Sequence, residues 1–354
     1  MTSIVKPPIR HPSLRTNSLG LTTRDYEGVM STLCAGCGHD SVTAALVQAA
    51  WELELEPHRA AKMSGIGCSS KTTAYFMKQS HGFNSVHGRM PSVTTGAAAA
   101  NRGLTYLGIS GDGDSLSIGI GQMAHAIRRN VNMLYVIENN GVYGLTKGQF
   151  SASADVGSTS KRGEANEQAP IDPVLLALSI GATFVARSFS GDKKQLVPIL
   201  KAGIAHNGLA LVDVISPCVT FNDHEGSTKS YKFTREHEVE AVHADYVPVH
   251  AEITLPAATN GADPVRVVQM HDGSSVRLRP TAADYDPTDR TSAYAHVRAC
   301  QARGEIATGL LFVDEKSRDM HDLLKTTASP LVDLIHEQLC PGAAALGALM
   351  ARYR

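Results

Sequence analysis

Two turn sequences set at a fixed interval constrain this chain more than any other feature. Gly111-Asp112-Gly113 closes the apolar run LTYLGIS, Asn139-Asn140 closes the apolar run NMLYVIE, and 25 residues lie between the two turns. The interval holds one helical stretch, LSIGIGQMAHAIRRN, so each turn falls at the C-terminal end of a strand and one helix joins the strands. That unit is the building block of parallel sheets, which bind ligands at the strand tips. The expected fold class is α/β, a mostly parallel sheet with helices on both faces.

The neighbouring segments extend the pattern. Asp40 is placed to cap a helix through SVTAALVQAAWELEL, RAAKMSGIG reads as a short buried strand ending in glycines, and TTGAAAANRG as a second helix. After a polar loop over 141–170, Asp172-Pro173 supplies a cap and a first-turn proline for VLLALSIG. GATFVAR is a strand, DKKQLVPILKAGIAHNG a helix ending at Gly208, and LALVDVIS a last core strand. From residue 216 the alternation stops, and the remainder reads as an irregular extension. It contains a hairpin, VRVVQMHDGSSVRLR, turning at Asp272-Gly273, and small elements at TGLLFVD and LVDLIHEQL. The expected division is an arm over 1–30 that docks on a neighbour, a main domain over 31–250, and a C-terminal extension and subunit-contact region over 251–354.

Charge and composition exclude several function classes. The 354 residues carry a net charge of −1 with no basic stripe, which argues against nucleic acid or an anionic membrane surface as partner. No apolar run approaches the roughly 20 residues of a membrane span, and MTSIVKPPIRHPSL lacks a signal-peptide stretch. A cytoplasmic location is expected, where a CxxC spacing reads as metal or redox chemistry rather than a disulfide.

The two turns carry hard-ligand chemistry. GDGD offers carboxylate oxygens and glycine amides that can approach a diphosphate closely, and Asn140 adds an amide oxygen from the adjacent strand tip; this is the signature of a thiamine diphosphate site with Mg²⁺. Soft ligands stand beside them: Cys34 and Cys37 in LCAGCGHD, Cys68 in GIGCSSK and Cys218 in SPCVTFN. Four thiolates suit tetrahedral zinc or a [4Fe-4S] cluster, and the CxxC spacing does not choose between them. Cys300 and Cys340 lack such context and read as ordinary cysteines.

Taken together, GDGDSLSIG, NNGVYGLTKGQ, LCAGCG, GIGCSS, SPCVTFN and His87-Gly88-Arg89, with YDPTDR and GLLFVDE further on, resemble the β subunit of 2-oxoacid:ferredoxin oxidoreductases. The resemblance implies that Asp112, Asn140 and the Val142 carbonyl hold Mg²⁺. It implies that Gly111, Gly113, Asp114 and Thr146, with Ser69 and His87, line thiamine diphosphate, and that Cys34, Cys37, Cys68 and Cys218 bind one [4Fe-4S] cluster. Gln122, where many relatives carry histidine, and HGRMPS in place of HGRALP depart from the pattern and leave the cofactor ligands intact. The implied reaction is oxidative decarboxylation of a 2-oxoacid with coenzyme A, electrons passing through the cluster to ferredoxin. The same route can run in reverse and fix CO₂.

Lys71, directly after GCSS, and Lys147, in GLTKGQ, fall beside the expected site, where a cation can pair with the distal carboxylate of 2-oxoglutarate. Leu145 is expected to press on cofactor or substrate, and Arg89 and His39 to contact one of them. The carboxylate that assists such cofactors is, by resemblance, a residue of a partner α subunit, so an α2β2 heteromer is expected and the β chain alone should be inactive. The competing readings are a pyruvate-preferring member of the same family, a non-oxidative 2-oxoacid decarboxylase subunit, and a zinc-stabilised interaction subunit without catalysis.

Overall fold

Apolar runs pair into one ten-stranded sheet in the computed structural model, which describes residues 13–159, 163–249, 265–281 and 285–353. The first strands are β1 (Ala60–Ser64), β2 (His81–Asn84), β3 (Thr105–Gly111) and β4 (Met133–Asn139); β5 (Val142–Tyr143) and β6 (Gln149–Phe150) form a separate small ladder. They are followed by β7 (Phe184–Phe189), β8 (Leu209–Ile215), β9 (Glu238–Val247), β10 (Arg266–Gln269), β11 (Ser275–Pro280) and β12 (Ile306–Val313). Across the sheet, β2, β1, β3, β4, β8 and β7 run parallel in that spatial order. Every residue of β4, β7 and β8 is buried. This is the pattern of strands covered on both faces, and it explains why their sequences are near-continuous apolar runs.

Helices α1 (Gly38–Glu52), α2 (Thr72–Tyr75), α3 (Met90–Ala100), α4 (Ile120–Arg129), α5 (Pro173–Ser179), α6 (Lys193–Ala205), α7 (Tyr231–His237) and α8 (Arg290–Ala302) supply the covering layers. Asp172 caps α5 as the sequence indicates, accepting from the amides of Val174 and Leu175. Asp40 does not cap α1. The helix begins at Gly38, whose amide donates to Pro217 O at 3.1 Å, and Asp40 lies in its first turn. A side chain at Gly38 would collide with Ser216 and Pro217, so this glycine lets the cysteine-bearing turn press on the chain that leaves β8. Helix α6 stops at Ala205, before His206, rather than at Gly208.

Strand order reverses between β1 and β3, since β2 lies on one side of β1 and the later parallel strands on the other. The C-terminal ends of β1, β3, β4 and β8 meet at this edge, where doubly wound sheets bind their ligands. The chain after residue 216 corrects the expected irregular extension. β12 pairs antiparallel with β7, β9 pairs parallel with β12, and the β10–β11 hairpin adds to β9, so one sheet continues through the C-terminal part. Charges interleaved through β9, EVEAVHADYV, conceal it, and its partner β12 is distant in sequence. The hairpin turns at Asp272-Gly273, with Gly273 at φ +84°. Residues 250 and 251, the expected domain boundary, lie outside the described residues, as do residues 1–12 of the expected arm.

Residues 13–30 make contacts within this chain. Tyr26 is fully buried and donates to Leu55 O at 2.9 Å, and Trp51 Nε1 donates to Leu21 O at 2.9 Å. The end of α4 is fixed by Asn130 in the left-handed conformation, φ 50°. Its Oδ1 accepts from Leu209 N (2.8 Å) and Thr183 Oγ1 (2.9 Å), and its Nδ2 donates to Ser317 Oγ (3.0 Å) and Arg318 O (2.7 Å). One side chain thus joins β8, the start of β7 and the segment after β12. Asn130→Ala is expected to cost about 2–4 kcal/mol, from a strained φ and several lost hydrogen bonds. Asn130→Gly, which keeps the backbone at ease, should cost less; thermal unfolding of the two variants checks the order.

Candidate active site

Asp112 follows β3 directly and is 1% exposed. Its Oδ2 accepts from Gly141 N (3.0 Å), from Ser153 Oγ (2.6 Å) and from Ser151 Oγ. Burial raises its pKa, and the two serine hydroxyls oppose that rise. The three donors crowd onto one carboxylate oxygen, a geometry that leaves Oδ1 for a cation. A side chain at Gly113 would strike the Tyr143 ring at 2.6 Å, so that ring would have to shift, while one at Gly111 would meet Ser69 Oγ at 2.9 Å and displace that hydroxyl. Gly113–Ile118 then winds as a wide π-type turn before α4.

Asp114 is engaged differently. Its Oδ1 accepts from Gly88 N (2.7 Å), Ile66 N (3.3 Å) and His87 Nδ1, and its Oδ2 from Ser110 Oγ (2.6 Å). It ties the loop after β1 and the His87-Gly88-Arg89 element to the end of β3. Asn140, at the tip of β4, accepts on Oδ1 from Val142 N (3.1 Å) and turns Nδ2 to His39 Nε2 (3.4 Å). His39 Nδ1 lies 2.6 Å from Ser216 Oγ and 3.5 Å from Glu138 Oε2. Burial drives the pKa of His39 down to about 4 and raises that of Glu138 well above the usual carboxylate range, with Thr72 opposing the rise.

These groups line one cleft of about 470 Å³ of empty space, with Gly111, Asp112, Gly113, Asp114, Asn140, Val142, Leu145, Thr146, Ser69, His87 and Cys68 on its wall. Glu138 and Tyr143 also line it, and sequence reasoning missed both. The available signal was an acid inside the apolar run MLYVIEN. Lys71, Lys147 and Arg89 are not on the wall. Lys71 is half-buried in the turn after Cys68, Lys147 is exposed one residue beyond Thr146 with φ +83°, and Arg89 is exposed ahead of α3.

The cysteines come together at the same edge. A side chain built at Gly144 would lie 3.4 Å from Cys68 Sγ and 3.8 Å from Cys218 Sγ, so these two sulfurs flank it. Thr220 Oγ1 donates to Cys34 Sγ at 3.4 Å, and Cys37 N donates to Cys34 O at 3.0 Å. Burial pushes the Cys37 thiol up to about 12, with Glu138 and Cys218 adding to the rise. Burial likewise raises Cys68, Lys71 opposes it, and Cys218 and Cys34 add to it. Cys300, by contrast, packs in the core beside His296.

The family model for the C-terminal TPP-binding domain of thiamine pyrophosphate enzymes matches residues 65–214. The β subunit of 2-oxoacid:ferredoxin oxidoreductase from Saccharolobus solfataricus is 41% identical over 208 residues, 58% of this chain and 68% of that protein. The 2-oxoglutarate synthase subunit KorB of Methanocaldococcus jannaschii is 33% identical over 213 residues, 58% of this chain and 77% of that protein. Among solved structures, 2-oxoglutarate:ferredoxin oxidoreductase from Magnetococcus marinus, with 2-oxoglutarate, coenzyme A and succinyl-CoA bound, superposes with a TM-score of 0.71. Identity is 29%, covering 88% of this chain and 91% of that one.

The tie through Asp114 yields a direct test. A methyl group at Gly65 would overlap the Asp114 carboxylate. Gly65→Ala is expected to destabilise by about 1–3 kcal/mol through overpacking and to detach the loop that carries Cys68. Thermal unfolding together with thiamine diphosphate titration checks it, and unchanged values for both would show that the loop accommodates the methyl group.

Proposed function

The chain belongs to the β-subunit family of 2-oxoacid:ferredoxin oxidoreductases, and from that premise we propose that its cleft holds thiamine diphosphate through Mg²⁺ on Asp112, Asn140 and the Val142 carbonyl, for use on 2-oxoglutarate. The observation that carries this reading is the buried Asp112 carboxylate, held on one oxygen by three donors and flanked by Gly111 and Gly113. Gly111, Gly113 and Thr146, with Ser69, would face the diphosphate, and Leu145, exposed at the mouth, would press on cofactor or substrate. When bound, the cofactor supplies carbanion chemistry at the 2-oxo carbon, and an adjacent cluster accepts the electrons singly. Asp114 and His87 hold the loops that frame the cleft, and Tyr143 donates to Gly113 O at 3.0 Å, bracing the diphosphate turn.

The four thiols are assigned to a [4Fe-4S] cluster by the resemblance to the family, a reading supported by Cys68 and Cys218, whose sulfurs flank Gly144 beside the cleft. An α subunit completes the enzyme, as the β-subunit naming of the relatives implies. An α2β2 assembly suits the apolar side chains exposed at Leu331, Val332, Ile335, Leu339, Leu346 and Met350 in the C-terminal segment, the proposed subunit-contact region. No helix among the described residues is long and apolar enough to cross a membrane, and a cytoplasmic location is part of the same proposal.

Iron and sulfide analysis of the anaerobically purified α–β enzyme tests the cluster. Cys218→Ala is expected to lose or convert the cluster and halt ferredoxin reduction; an intact four-iron signal in that variant shows that Cys218 is no ligand. Selectivity is assigned to Lys71 and Lys147, each in a loop bordering the cleft. Lys147 stands in its loop with φ +83°. Replacing either lysine by a neutral residue of similar length is expected to lower kcat/KM for 2-oxoglutarate at least about tenfold relative to pyruvate, since a desolvated cation–carboxylate pair is worth about 2–5 kcal/mol. If both variants keep the original preference, the lysines do not select the substrate.

A further inference from the structure

A row of buried polar side chains crosses strands that are otherwise apolar. Arg187 lies on β7, Asp213 opposite it on β8, Asn139 at the end of β4, and Asp112 just past β3, one polar residue from each of four adjacent strands. Arg187 Nε donates to Asp213 Oδ2 at 2.7 Å, and its Nη2 donates to Asp172 Oδ1 at 2.7 Å. Asp213 Oδ1 accepts from Asn139 Nδ2 at 3.0 Å. Asn139 Oδ1 in turn lies 2.8 Å from Ser153 Oγ, and the same hydroxyl lies 2.6 Å from Asp112 Oδ2. All of these groups except Asp172 are less than 9% exposed.

We propose that Arg187 and Asn139 are positioning residues for the metal ligand Asp112, acting through Asp213 and Ser153. This rests on the reading of Asp112 as the Mg²⁺ ligand. The chemistry of each link sets the next. An ionised Asp213, held by Arg187, can only accept, so it takes the NH₂ edge of Asn139 and turns the amide oxygen toward Ser153. The one hydrogen of the Ser153 hydroxyl is shared in a three-centre contact between Asn139 Oδ1 and Asp112 Oδ2, which locates the hydroxyl between them, and Ser153 with Ser151 holds Asp112 Oδ2. Without Arg187 the Asp213 carboxylate loses the partner that fixes its orientation, so the edge it offers Asn139, and with it the orientation of the Asp112 carboxylate, is no longer determined from behind. Asn139 therefore acts on the cofactor without touching it, whereas its neighbour Asn140 lines the cleft.

The test uses the intact α–β enzyme stripped of cofactor and titrated calorimetrically with thiamine diphosphate at several Mg²⁺ concentrations. Asn139→Ala and Ser153→Ala are expected to weaken Mg²⁺-dependent binding at least about tenfold, as outer-shell partners of metal ligands do. Each variant loses buried hydrogen bonds and its cofactor-free thermal midpoint falls, so binding is compared well below that midpoint. Arg187→Met should fall in the same range, and the double variant Arg187→Met/Asn139→Ala should bind no more weakly than Asn139→Ala alone, because both act through one path. Asn139→Ala is uncharged and keeps the inference open to test if Arg187→Met does not fold. Binding within about twofold of the parent enzyme in Asn139→Ala, with Asp112→Ala abolishing binding, overturns the inference and leaves the metal reading standing. Full binding in Asp112→Ala overturns the metal reading itself, and the inference with it.

Discussion

A carboxylate that must stay charged inside a protein needs donors delivered from elsewhere in the chain, and Asp112 sets that requirement here. Its donors come from the 141–153 stretch, two of them serine hydroxyls and one a backbone amide freed by a left-handed glycine. The loop can reach the tip of β3 only because β4 ends beside β3 in register, Gly111 opposite Glu138. The position of the polar loop is thus a consequence of strand pairing in the apolar sheet. Cofactor geometry inherits the stiffness of that sheet.

Opposed electrostatics share this edge. Behind the cleft one guanidinium serves two carboxylates. Burial disfavours the charge of Arg187, yet Asp172 and Asp213 together hold its pKa above the ordinary value. Burial also acts against Asp172, but Arg187 and the α5 amides bring it below the usual range; at Asp213 burial prevails over Arg187. The asymmetry follows from the caps: Asp172 has two backbone amides as well as the arginine, while Asp213 has the arginine and one side-chain amide. Inside the cleft burial shifts two side chains away from their charged forms: it raises the pKa of Glu138, to which Thr72 donates, and lowers that of His39 to about 4.

Much of this was legible in the sequence because it is local. The strand–helix–strand unit around the two turns, the Asp172 cap with Pro173 and the Asp272-Gly273 hairpin each depend on a few adjacent residues. What escaped depends on contacts between distant segments. β9 carries too many charges to be read as a strand until β12 is known to lie beside it, and Glu138 is hidden because a single acid in an apolar run has no meaning without Thr72 and His39. Asp114 shows a second role that the motif does not reveal: it lines the cleft, and its carboxylate oxygens also accept from Gly88, Ile66, His87 and Ser110.

The late return of β12 to the sheet has a consequence for biosynthesis. β7 is complete at Phe189, but the strand that pairs with its outer edge begins only at Ile306. At roughly 5–20 residues per second, a ribosome needs about 6–23 s to make the intervening chain. During that interval the parallel half of the sheet can form with one edge bare, and a bare edge is a template for pairing with other chains. The nascent protein is therefore most exposed to aggregation between those two points of its synthesis, and release of that risk waits on residues close to its C-terminal end.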